Sequence, residues 1–141
     1  VGFQSLHTAW LAEGYLLAGR TAEARRLAEH AYDLSVQHKE RGHGAISLNL
    51  LAEIAVAGGA NNYSAAESYN RRALALSSEM NMRPLEAHAR LGLGCILHAK
   101  GCVDQARTEI EAASEIYDSL GMTQWQPVAK TALGSLHNGH R

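Results

Sequence analysis

The residues best suited to chemistry are His88, Cys95 and His98. On a helix, offsets of seven and ten keep all three near one face, where two imidazoles and a thiolate are donors that tetrahedral zinc takes. A closed site needs a fourth ligand, and Glu53 is the candidate upstream. Against this, histidines and cysteines on half-exposed helix faces are common without metal. No Cys-x-x-Cys, His-Glu-x-x-His or Gly-x-Ser-x-Gly spacing strengthens a catalytic or metal reading. The glycine-rich pieces at 91–94 and 58–59 lack the Gly-x4-Gly-Lys-Ser/Thr frame that cradles phosphates. Gly92 and Gly94 therefore read as helix-packing positions. The expectation is no catalytic residue, no metal and no cofactor, with the His88–Cys95–His98 face lining a groove.

The rest of the chain narrows the partner class. Thirteen basic residues balance fourteen acidic ones, and no polybasic run exists. Direct nucleic-acid binding and an anionic membrane surface are disfavoured on that ground. Arg25-Arg26 and Arg71-Arg72 are short pairs expected to face solvent. Eight histidines give the net charge some sensitivity near pH 6. Cys95 and Cys102 have no paired spacing, which predicts reduced thiols, read as small core residues, and a cytoplasmic setting. The longest apolar run, Ile54 to Ala57, is too short to span a bilayer. A start at Val1, without methionine or a leader pattern, is read as a piece of a longer protein.

Apolar spacing predicts seven helices that would position these residues. They run from about 4 to 18, 21 to 39, 43 to 57, 63 to 80, 84 to 99, 102 to 119, and from near 123 to 138. Gly19, Gly58-Gly59, Asn81, Gly101 and Gly121 separate them, and Thr21 is expected to start the second. Pro84 sits where a first helical residue can lack an N–H.

The chain also repeats itself. Ala24, Ala66 and Ala106 align, as do Ala31, Ala73 and Ala113, at offsets of 40 to 42 residues. Leu11-Ala12, Leu51-Ala52, Leu93-Gly94 and Leu133-Gly134 align in the first helix of each pair. Small residues at fixed positions let two helices approach as an antiparallel hairpin. Each hairpin leaves one apolar face uncovered, so hairpins must stack. The predicted organisation is a single domain over 1–141, with repeats at about 4–40, 43–81 and 84–120 and a final helix at about 123–138.

This pattern resembles the tetratricopeptide repeat (TPR). It is carried by Thr8, Leu11, Ala12, Tyr15, Gly19, Ala24 and Ala31, then by Leu48, Leu51, Ala52, Ala55, Gly59, Ala66 and Ala73. A third copy is Arg90, Leu93, Gly94, Leu97, Gly101, Ala106 and Ala113. The leading tryptophan is absent, the closing proline is displaced to Pro84 and Pro127, and the period is longer than usual. The run from Met82 to Gly94, then Gly101 to Arg107 and Tyr117 to Trp125, resembles C-terminal repeats of bacterial adenylate/guanylate cyclase–ATPase signalling proteins. Related repeats occur in large LuxR-type transcription activators.

The resemblance implies an all-α, right-handed superhelix of three hairpins plus a C-terminal helix, and a non-catalytic scaffold that binds proteins. Its concave groove would be lined by exposed positions of the first helices. These are Leu6, Ala9, Glu13 and Leu16, then Ile46, Asn49, Glu53 and Val56. Next come His88, Leu91, Cys95 and His98, and finally Val128, Thr131 and Ser135. The partner contacts expected from this set are Glu13, Asn49, Glu53, His88, Leu91, Cys95, His98 and Thr131. Asn49 and Glu53 lie one turn apart and could bond a ligand backbone, while Glu13 and Glu53 favour basic side chains. The rival expectation is self-association into a homodimer, with Trp125 and the unpaired last helix either capping the stack or exposing an apolar face.

Overall fold

The computed structural model describes residues 12–138, without the side chains of His137 and Asn138. Among the described residues all regular structure is helical. Helix α1 occupies 12–17 of the described chain. It is followed by α2 (Thr21–Gln37), α3 (Arg41–Ala57), a single 3-10 turn (Ala60–Asn62) and α4 (Tyr63–Glu79). Then come α5 (Arg83–Ala99), α6 (Val103–Leu120) and α7 (Gln126–Asn138). From α2 onward each α-helix packs on the next in sequence, and α5 also touches α3 and α7. The result is a stack of antiparallel pairs in which α1, α3 and α5 occupy equivalent places. Among the described residues no helix is long and apolar enough to cross a membrane.

One turn geometry recurs five times. Gly19, Lys39, Asn81, Gly101 and Gly121 all take positive φ, between 56° and 88°. In each case the N–H of that residue reaches back three residues and the next N–H reaches back five, as in Arg20 N–H to the Tyr15 carbonyl at 2.8 Å and Met82 N–H to the Ser77 carbonyl at 2.8 Å. This double closure satisfies carbonyls that a helix end otherwise leaves open. The expected end of α2 around Lys39 holds: Lys39 itself makes the turn, and Gly42 lies inside α3. The expected start at Thr21 holds, though its hydroxyl caps nothing. The returning backbone already ties that helix end down through Arg20.

The core lies where the small residues align. Ala12, Ala24, Ala28, Ala66, Ala73, Ala106 and Ala113 are fully buried. A Cβ added to Gly94 would strike Ile110 and lie 3.1 Å from the Ala106 carbonyl. Gly94 is thus a close-packing contact, because only a bare backbone lets α5 approach α6 this closely. Around it, Leu93, Leu97, Ile110 and Tyr117 fill the space. The arginine pairs 25–26 and 71–72 are exposed, as expected.

Candidate ligand groove

The faces of α1, α3 and α5 turned away from their partner helices enclose a concave groove of 570 Å³. Its lining includes Glu13 of α1, then Ile46, Asn49 and Glu53 of α3, and Leu85, His88, Leu91, Gly92 and Cys95 of α5. Trp125, in the segment before α7, closes one end. A slot of 270 Å³ runs on from it between α3 and α5, lined by Ala52, Val56, Tyr63, Ile96 and Ala99, with Asn70 from α4. Asn49, Glu53, His88, Gly92 and Cys95 border both spaces.

Six of the eight expected contacts therefore come together: Glu13, Asn49, Glu53, His88, Leu91 and Cys95. His98 and Thr131 do not line this groove. Thr131 is exposed on α7, where its carbonyl accepts a bond from the Ser135 hydroxyl at 3.2 Å. Leu6 and Ala9 lie outside the described residues. Leu91 was expected to be an exposed groove position, but it is 8 % exposed and belongs to the core around Tyr117. Cys95 was read as a core thiol and is exposed at the groove surface, whereas Cys102 is half-buried.

The two ends of the groove differ in chemistry. At the α1–α3 end, desolvation by the groove walls and then the negative charge of Glu13 push the Glu53 carboxyl above its ordinary pKa. Neither carboxylate has a basic partner among the described residues. At the α5 end, His88 Nδ1 lies 2.7 Å from the Tyr117 hydroxyl. The Trp125 ring meets the His88 ring edge-on at a centroid distance of 4.4 Å. Tyr117 and Trp125 are near-parallel at 6.0 Å. Burial lowers the His88 pKa, so the imidazole is neutral at pH 7, and the ring tautomer sets which of Nδ1 and the Tyr117 hydroxyl donates. Burial also raises the Tyr117 phenol and the Cys95 thiol, so neither ionises near neutrality.

Of the zinc constellation, His88 has its Nδ1 bonded to Tyr117, and His98 does not line the groove that His88 and Cys95 border. Among the described residues no three His, Cys, Asp or Glu side chains converge to hold a metal ion.

Sequence reasoning missed Asn70, Gly92, Tyr63 and Trp125 as groove residues. Asn70 sits on a second helix, and only the lateral gap between α3 and α5 exposes it. The one available signal was its register: Asn70 falls where Ala28 and Ile110 stand in the neighbouring repeats.

No protein-family model matches the chain, and no curated protein matches it in sequence. Among solved structures, the crystal structure of the apo form of RapI is similar, with a TM-score of 0.87 over 96% of this chain at 14% identity. The chain spans 49% of the length of that structure. At so low an identity the likeness speaks for the fold, and the fold is that of a TPR-like right-handed superhelix of helix pairs.

Proposed function

We propose that this chain is a non-catalytic scaffold whose concave groove holds a segment of a partner protein. The observation that carries this is the convergence of Glu13, Asn49, Glu53, His88 and Trp125, from four separate segments, on one open groove of 570 Å³. A groove of that size, apolar in its walls with a few polar groups, suits side chains and backbone of an extended or helical segment. The lowered His88 pKa, the raised Cys95 pKa and the lack of a base–nucleophile pair among the described groove residues favour binding over chemistry.

The resemblance carried by Met82–Gly94 and Tyr117–Trp125 supports a finer reading. In it the chain is the C-terminal module of a bacterial cyclase-like signalling protein, and the bound segment reports the state of a partner or of the parent's own domains.

Photo-crosslinking distinguishes the groove from the back of the stack. A photoreactive residue at Val56, on the groove slot and 40% exposed, is expected to trap a partner in cells. The same group at Val36 of α2, 59% exposed and remote from the groove, is expected to trap none. Equal trapping at both positions, or trapping at Val36 alone, would overturn the groove assignment. Adducts made of two copies of this chain would instead favour self-association.

A further inference from the structure

Asn70 is 2% exposed and makes no hydrogen bond to any described residue. Its Oδ1 and Nδ2 are not sealed from solvent, so their hydrogen-bonding capacity is left to water or to a ligand. The equivalent positions confirm that the fold does not require an amide here: Ala28 and Ile110 are apolar, and both are buried in their own repeats. The Asn70 amide borders the slot between α3 and α5. Gly92 keeps that side open. A Cβ at Gly92 would come within 3.1 Å of Nδ2 and 3.2 Å of Oδ1, whereas the matching residue one repeat earlier is the buried Leu50.

A second, independent feature adjoins this window. Glu13 and Glu53 face each other across the groove with no basic partner among the described residues. The Glu13 charge disfavours ionised Glu53, and a ligand cation between the two carboxylates relieves that. Glu53 borders the slot as well as the groove, so the two features serve one ligand.

We propose that Asn70, reached through the gap at Gly92, is a backbone-recognition subsite for an extended partner peptide whose lysine or arginine lies between Glu13 and Glu53. The proposal rests on the groove reading above and names its ligand. A side-chain amide offers one donor edge and one acceptor, the complement of a peptide group's C=O and N–H. Glycine at position 92 lets a ligand backbone approach α5 closely.

The test uses the full chain, 15N-labelled, with the side-chain amide signals of Asn49 and Asn70 as reporters. The probes are capped five-residue peptide pools with central arginine, leucine or glutamate, together with spermidine. The arginine pool is expected to bind about tenfold more tightly than the leucine pool, the size of one charge-assisted contact, and to shift the Asn70 amide. Glu53→Gln is expected to abolish that preference, and Asn70→Leu to weaken the arginine and leucine pools alike. Equal binding of those two pools within the groove, or preference for glutamate, would overturn the subsite and leave the groove reading standing. Spermidine binding as well as the arginine pool without moving Asn70 would overturn the backbone contact. If no pool disturbs any groove residue, subsite and groove reading fall together.

Discussion

The second and third repeats, α3–α4 and α5–α6, are built on one register and yet do different things. Offset by 42 residues, Ile46, Asn49, Leu50, Ala52 and Glu53 of α3 correspond to His88, Leu91, Gly92, Gly94 and Cys95 of α5. On the partner helices Asn70 corresponds to Ile110. The third repeat closes tightly: Gly94 admits Ile110 into the helix interface, and Tyr117 is fully buried beneath His88. The second leaves its chemistry open, with a carboxylate, two amides and no internal partners for them. The contrast shows that the alanine frame sets where helices lie, while the residues between its positions decide whether a repeat is sealed or offers a surface.

The largest expected effect tests the sealed side. Gly94→Leu should lower stability by about 3 kcal/mol in urea denaturation, because the new side chain meets Ile110 and the Ala106 carbonyl. A cost below about 1 kcal/mol would mean that α5 and α6 can separate freely, and the contrast with the second repeat would fail.

Asn70→Leu tests the open side and carries the opposite sign. Replacing an unpartnered buried amide by an apolar group of similar size should raise stability by about 1 kcal/mol. A loss instead would show that the amide is bonded within the fold.

The pH dependence should also differ between the repeats. His88 has a lowered pKa in the folded chain, so the unfolded chain binds its proton first. Its contribution is present above about pH 6.5 and is lost as pH falls through and below that value. Glu53 has a raised pKa, so its contribution is largest in acid and declines as pH rises above about 4.5. Stability measured from pH 5 to 7.5 should therefore lose its rising component in His88→Ile and its falling component in Glu53→Gln. Identical slopes in both variants would erase the distinction.

The smallest effect lies in the closing turns, Asn81 at φ 56° and Gly121 at φ 66°. Asn81→Gly should leave stability within about 0.5 kcal/mol or raise it slightly, whereas Gly121→Ala should cost about 1 kcal/mol in thermal melts.

Much of the fold was legible beforehand because it depends on a short-range pattern. Alanines seven apart in α2, α4 and α6, and a glycine, asparagine or lysine at each turn, locate the helices to within two residues of those observed from α2 to α6. The helix end near Lys39 was expected, but its left-handed backbone was not, because a lysine gives no residue-type signal for it and only the closure onto Ser35 reveals it. For the groove, positions on the first helices could be projected from helical periodicity, and Glu13, Asn49, Glu53, His88 and Cys95 do line it. His98 could not be separated from them by spacing alone. Ten residues along a helix carry a side chain round the face, and whether it still points into the groove depends on where the next hairpin sits.

By itself the amino-acid order determined the helices, their pairing and the stacking of the pairs, since periodicity, turn residues and small-residue contacts act over one hairpin or its immediate neighbour. Only the tertiary structure decided which polar groups are left without partners. Glu13 meets Glu53, and Asn70 meets the gap at Gly92, because helices from different repeats lie side by side. Such meetings depend on the angle and spacing between hairpins, and no local signal in the sequence encodes those.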